Sequence, residues 1–341
     1  MTVSIEPKEQ SKRARKSIGN ALFGAFALFC LLLILKNAEI AVEYMHRGLL
    51  LCARTVIPSL FPFMILSELI VSGGLGGRLL KILTLPLRFL FGVSAAGGCA
   101  ILLGLLCGFP IGARCAVRSL ERGEISRAEA ERVISLSCVP SSAFLISAVG
   151  VSLWGNRRFG LALYATVLAS TILTGILFNL LDKRLPLPKA TSRGSAPPLR
   201  GSKLFTEAVR ASTWSMLTVC AYVVFFSTLV GTLSLSLGRL DLSADVTALL
   251  FCIFELSGGV SSASALGNAM SAAVLCAFAA GWSGLSVHCQ LLSVCDGYGI
   301  SARSYFLAKL LQAILCALLF SLVIRFFPEI TVPAEICSAY R

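Results

Sequence analysis

The stretch "ILLGLLCGFPIGARCAVRSLERGE", residues 101–124, begins as membrane-spanning sequence and does not finish as one. Its apolar run stops at Gly108-Phe109-Pro110, resumes over Ile111-Gly112-Ala113, and turns basic from Arg114. In hydrocarbon an unpaired N–H or C=O is costly, so irregular backbone survives there only when buried in protein or lining a polar cavity. A broken apolar segment therefore predicts a binding site, provided that the chain lives in a membrane.

Composition meets that condition. The 341 residues are 56% hydrophobic and 14% charged, with mean hydropathy +0.84; a soluble chain carries roughly a quarter charged residues. Apolar runs recur at 18–35, 48–71, 133–154, 159–181, 211–237, 269–294 and 304–327. Each approaches or exceeds the length needed to cross a bilayer core. Shorter, broken runs lie at 95–113 and 246–267. The reading is an all-α polytopic membrane protein.

The first run follows Lys12, Arg13, Arg15 and Lys16. No small-residue cleavage site comes after it, so it reads as an uncleaved anchor. The 13 cysteines, among them Cys30, Cys107, Cys138, Cys220, Cys276 and Cys316, lie within apolar runs without metal-type spacing. They read as small core hydrophobes. The net charge of +13 sits mostly in loops, where it reports orientation and anionic membrane lipid rather than nucleic acid.

The segment 182–210, "DKRLPLPKATSRGSAPPLRGSKLFTEAVR", carries seven Lys and Arg among Pro, Ser and Gly. The positive-inside rule places it in the cytoplasm. Walking outward, 1–44 is a basic N-terminus and first transmembrane helix, with 18–36 running outward. The segment 45–181 is a first repeat: 46–72 inward, a surface helix at 73–93, a re-entrant hairpin at 95–113, an inside segment at 114–132, then 131–154 outward and 158–181 inward. After a basic linker at 182–207, residues 208–327 are a second repeat. There 208–237 runs outward, a hairpin at 246–267 dips from outside, 268–294 runs inward, and 303–327 exits to a tail at 328–341. Arg157 and Arg158 fall in an outside turn, but two charges do not outweigh the linker.

The halves match in order, each with three transmembrane helices and a hairpin. Residues 133–154 carry Pro140-Ser141-Ser142 near the middle, and 273–292 carry Gly281-Trp282-Ser283-Gly284 at the corresponding place. Three crossings per half make the second half inverted, and inverted repeats with discontinuous helices hold substrate near the midplane.

Four breaks then converge: Gly108-Phe109-Pro110 with Gly112 close behind, Pro140-Ser141-Ser142, Ser257-Gly258-Gly259, and Gly281-Trp282-Ser283-Gly284. Half-helix N-termini there favour an anion; close helix packing is the alternative use of such small residues. Glu255 follows the apolar "ALLFCIF" and either relays a proton, binds a cation, caps the hairpin's freed N–H groups, or sits at headgroup level. His288 and Gln290, about two turns past the Trp282 break, are ligands or packing residues. Arg114 attracts an anion or anchors at the interface, whereas Glu68 and Lys309 read as interfacial. "SRAE" at Ser126–Glu129 reads as a capping box. With two histidines, no ligand-spaced His/Cys/Asp cluster, no nucleophile elbow and no phosphate loop, the sequence predicts neither an enzyme nor a cofactor. A coupling ion, H+ or Na+, and homo-oligomerisation are left open.

"GLLLCARTVIPSLFPFMILSELI", "GLLCGFPIGAR", "GEISRAEAERVISLSCVPSSAFLISAVGVSLWGN", "FELSGG" and "WSGLSVHCQ" together resemble the sporulation integral membrane proteins of the YlbJ (SpoVV) type, which contain the nucleoside-recognition, or Gate, domain. The resemblance spans about residues 45–327. It departs from an expected Asn-rich stretch at Ser137–Ser142 and from Thr-Asn-Gly at Ser257-Gly258-Gly259. It implies an architecture similar to concentrative nucleoside transporters and transport of dipicolinic acid, a small aromatic dianion, across the outer forespore membrane. A site of helix N-termini and hydroxyls beside Trp282 fits that ion. The alternatives are a nucleoside or other small-metabolite carrier on the same scaffold, and a non-transporting protein of sporulation membrane assembly.

Overall fold

The computed structural model describes residues 21, 24–75, 84–181, 201–238 and 242–331. The basic N-terminus, most of the 182–207 linker and the end of the tail lie outside them. The described residues are helical throughout their ordered elements and contain several helices long and apolar enough to span a membrane. The protein is an integral membrane protein.

Helix α1 (Gly24–Lys36) meets α2 (Ala38–Leu51) at a bend of 101°. Only Asn37 separates them, and its Nδ2 donates to Leu33 O at 2.9 Å. The expected antiparallel pair, 18–36 out and 46–72 back, is corrected to an L-shaped corner, because a single residue leaves no loop in which the chain could reverse. From α2 the chain continues through a π-helical turn, Cys52–Val56, into α3 (Ile57–Ser72). Of the expected surface helix at 73–93, α4 (Thr84–Phe91) is observed, and 76–83 lie outside the described residues.

The first hairpin consists of α5 (Ala95–Cys107) and α6 (Ile111–Glu121). Its second arm runs on through Arg114 and Arg118, so the hairpin is longer than the expected 95–113. The first interrupted helix follows: α7 (Arg127–Ser137), a break at 138–141, and a second half whose main part is π-helical, Phe144–Leu153. Ser126 Oγ accepts from Glu129 N at 3.2 Å, as the capping box requires. The Glu129 carboxylate instead accepts from Ser94 N at 2.6 Å, tying α7 to the start of the hairpin. Helix α8 (Arg157–Leu181) closes this half.

Helix α9 (Gly201–Leu237) begins inside the expected linker, so the boundary at 207 moves to 200. The second hairpin is α10 (Ala244–Phe254) and α11 (Leu256–Ser264). The second interrupted helix is α12 (Ala269–Trp282) and α13 (Gly284–Cys295), and α14 (Arg303–Phe326) ends the series.

Small residues set the close crossings. A Cβ on Gly231 would lie 2.1 Å from the Tyr44 ring, and one on Gly281 would lie 2.7 Å from Ala313 Cα. One core cluster joins both halves, with Ile101, Ile111 and Leu136 packed in the same body as Cys252, Leu256 and Cys276. Cys138, Cys276 and Cys316 are wholly buried free thiols, as expected of small hydrophobes.

Three contacts sort the connections onto faces. Tyr298 donates to Glu121, and Ser301 N donates to Glu131 at 2.7 Å, so the turns after α6 and α13 share one face. Asn156 Nδ2 donates to Ile330 O at 3.0 Å, joining the turn before α8 to the segment after α14.

Candidate functional site

The first hairpin closes onto the break of the helix that follows it. Gly108 ends α5 at φ +86° and ψ −177°, a conformation essentially restricted to glycine. A Cβ there would lie 2.7 Å from Ser141 N, and one on Gly112 would lie 2.4 Å from Ser137 Cβ. Phe109 N donates to Val139 O at 2.9 Å, across the same contact. Ser142 Oγ donates to Leu106 O at 3.2 Å, and Pro140 is buried beside them. The space a side chain on Gly108 would take is filled by Ser141, so this glycine serves close packing, the alternative use of such small residues.

The second half repeats the arrangement with different chemistry. Its hairpin breaks at Glu255, in extended conformation between α10 and α11, and not at Ser257-Gly258-Gly259. The Glu255 carboxylate accepts from Ser257 N at 2.9 Å and Gly258 N at 2.5 Å. The residue is 5% exposed. Of its alternatives, the cap is what the geometry realises. The two N–H groups expected to face a substrate are spent on this carboxylate. Gly259 packs on its own hairpin, a Cβ there lying 2.5 Å from Cys252 Cα. Ser283 turns through φ +77°, and a Cβ on Gly284 would lie 3.0 Å from Glu255 Cα.

Both tips border an inner cavity of about 70 Å³, lined by Phe109 and Ser141 from the first half and by Glu255, Ser257, Ser286 and Gln290 from the second. Leu60 from α3, Phe144, and Val219 and Val223 from α9 are among the apolar residues of its wall. Helix α13 starts there without a side-chain cap, and its first-turn residues Ser286 and Val287 line the cavity. The positive end of that helix dipole therefore adjoins it. Gln290 Oε1 is buried without a partner, while its Nε2 donates to Ser286 Oγ at 3.4 Å.

Val219 and Gln290 also border a second, outer cavity of about 320 Å³ that includes Pro110, Arg114, Arg118, Glu68, Trp214 and Tyr298. Glu68 is not interfacial: at 5% exposure it accepts from Arg118 Nε at 2.9 Å, Arg114 at 3.3 Å and Ser72 Oγ at 2.5 Å. Arg114 also donates to Ala211 O at 2.9 Å, so it bridges the hairpin to α3 and α9. On the turn beyond the spans, the hydrogen bond to Glu121 raises the Tyr298 hydroxyl above its usual range, with burial adding to it.

Several expected site residues line neither cavity, among them His288, Trp282 and the closely packed Gly108, Gly112 and Gly284. His288 Nδ1 meets Tyr305 OH at 2.7 Å, and Trp282 lies edge-on to its ring at 4.4 Å with Nε1 donating to Ile253 O at 3.2 Å. Trp282 fastens the second break to the second hairpin rather than standing beside a ligand. Lys309 is also misplaced by the interfacial reading, since it is wholly buried. Sequence reasoning missed Ser286 as well, although one turn past a break is where a discontinuous helix presents its first side chains.

No family model matches the chain. It is 27% identical over 336 residues, covering 88% of its length and 81% of the relative's, to the sporulation integral membrane protein YlbJ of Bacillus subtilis (strain 168). The resemblance read from the motifs is thus shown across most of the chain. In fold it is similar to CNTnw, a concentrative nucleoside transporter solved as a double variant in an outward-facing state. That match has a TM-score of 0.50 at 17% identity and covers 91% of this chain and 86% of that one.

Proposed function

We propose that the protein is a membrane carrier, not an enzyme, for a small organic anion, and that the anion is dipicolinic acid crossing the outer forespore membrane. One observation carries the transport reading: both hairpin tips, the first helix break and the first turn of the half-helix after the second break border a single cavity. Interrupted helices in lipid are tolerated where they line such a cavity. The sporulation relative supports the cellular setting, and the uncapped start of α13 supports a negative ligand.

The carrier is built as two inverted repeats. Glu121 at the end of the first hairpin shares a face with Tyr298 after α13. Because Ala269–Cys295 is long enough to cross a membrane, the second hairpin, which joins α12 through residues 265–268, enters from the other face. An inverted pair places a midplane site between the repeats.

A nucleoside or similar uncharged metabolite is the second reading. The unpartnered Gln290 Oε1 favours it as an acceptor without a donor, and the Glu255 carboxylate keeps lone pairs beyond those its cap uses. Uptake of labelled dipicolinate into proteoliposomes, with adenosine as competitor, decides between them. Uptake unaffected by adenosine supports the anion; adenosine uptake without dipicolinate uptake selects the nucleoside. No uptake of either defeats the carrier reading for these two classes.

A further inference from the structure

Lys309 is the one charged side chain of α14 that is wholly buried. Among the described residues no carboxylate pairs with it. Its Nζ donates to Gly281 O at 3.1 Å and to Gln312 Oε1 at 2.9 Å. Gln312 in turn donates through Nε2 to Ser135 O at 3.4 Å. An ionisable group inside a membrane protein is expensive to keep and marks a functional role by default.

The two carbonyls reached are not arbitrary. Gly281 lies in the last turn of α12 and Ser135 in the last turn of α7. Each of those helices ends at a break, and the last four carbonyls of a helix have no partner within it. Both ends also carry the negative pole of a helix dipole. Discontinuous membrane helices commonly satisfy such ends with a bound monovalent cation. Here an ammonium reaches one of them directly and the other through a glutamine.

We propose that Lys309 is a tethered cation that closes the C-terminal ends of both interrupted helices, so that this place needs no sodium ion. The proposal deepens the transport reading, but its test does not depend on it. Ser135 to Gln312 to Lys309 to Gly281 forms a continuous chain from one repeat to the other. Losing the ammonium leaves Gly281 O and Gln312 Oε1 without their donor and removes the positive charge beside the negative end of α12.

The test measures Tm of the full-length purified protein in detergent, in sodium chloride and in choline chloride, alongside dipicolinate uptake in the same salts. The wild-type Tm is expected to be the same in both salts. Lys309→Met fills the space without charge and lowers Tm equally in both. Lys309→Ala leaves room for an ion and water, so its Tm falls in choline and recovers in part in sodium. Lys309→Arg keeps the charge at greater bulk and is expected to melt closer to wild type than Lys309→Met. A wild-type Tm that rises in sodium, a Lys309→Met Tm equal to wild type, or the reverse order of Arg and Met overturns the proposal. If the Tm pattern holds while the wild type moves no dipicolinate, the transport reading fails and the tethered cation stands.

Discussion

A Cβ placed on Gly108 would lie 2.7 Å from the backbone nitrogen of Ser141, so the tip of the first hairpin is seated directly on the break of the next helix. Gly284 and Glu255 have the same relation in the second half, at 3.0 Å. Each half therefore couples its hairpin to its own interrupted helix before either meets the other half.

Replacing Gly108 tests that seating. Its backbone sits where side-chain-bearing residues pay about 1–3 kcal/mol, and the colliding atoms belong to backbone, which yields little. Gly108→Ala is expected to lower Tm in detergent markedly, and Gly108→Leu to lower the yield of folded protein further. Uptake per folded molecule should fall less than stability does. A stable Gly108→Leu protein that has lost all uptake would show that the glycine clears a path for ligand instead.

The positions of the breaks were legible because Gly and Pro inside a long apolar run have few other uses. Pro140, Gly108 and the Gly281–Gly284 stretch all mark real interruptions, and the order of elements followed from them. Glu255 was harder: a carboxylate at the edge of an apolar run looks the same whether it meets water or caps a buried helix. Lys309, six residues into its run, looks like a side chain that snorkels. Glu68 and Arg118 are 50 residues apart, and nothing local announces their pairing. Leu60, Val219 and Val223 come from uninterrupted helices, whose cavity-facing and lipid-facing residues are equally apolar.

The Glu68 cluster predicts a stability effect with a definite order. Glu68 holds two guanidinium groups, with side-chain exposures of 13% at Arg114 and 31% at Arg118. Removing one partner of a buried pair costs about 3–5 kcal/mol. Glu68→Gln should therefore destabilise the protein by about 3 kcal/mol, the partial exposure of Arg118 keeping the loss at the low end. Arg118→Gln should cost less than Arg114→Gln. Chemical denaturation in detergent reads the order, and equal losses for the two arginines would mean that burial does not set the strength of these pairs.

Sidedness follows from the shared faces. Asp296, on the turn after α13, and Arg158, in the first turn of α8, are exposed at opposite ends of the spans. In a background lacking the 13 native cysteines, Asp296→Cys and Arg158→Cys should react with a membrane-impermeant thiol reagent from opposite sides. Ser195→Cys, in the basic linker, should react from the Asp296 side. Labelling of all three from one side would remove the inverted arrangement of the halves.

Glu255 carries the last prediction, because one side chain does two things there. It caps α11 through two backbone donors and it borders the inner cavity. A cap of this type contributes about 1 kcal/mol, and a glutamine keeps one acceptor oxygen for it. Glu255→Gln should therefore lose at most about that much stability, and Glu255→Ala the whole of it. Uptake should separate from stability: if the carboxylate takes part in binding or in proton relay, both variants lose transport by a similar factor although their Tm values differ. The comparison is uptake per folded molecule, measured on both sides of neutral pH. Wild-type uptake by Glu255→Gln at every pH, with Glu255→Ala impaired only in proportion to its lost folded fraction, would reduce Glu255 to a helix cap.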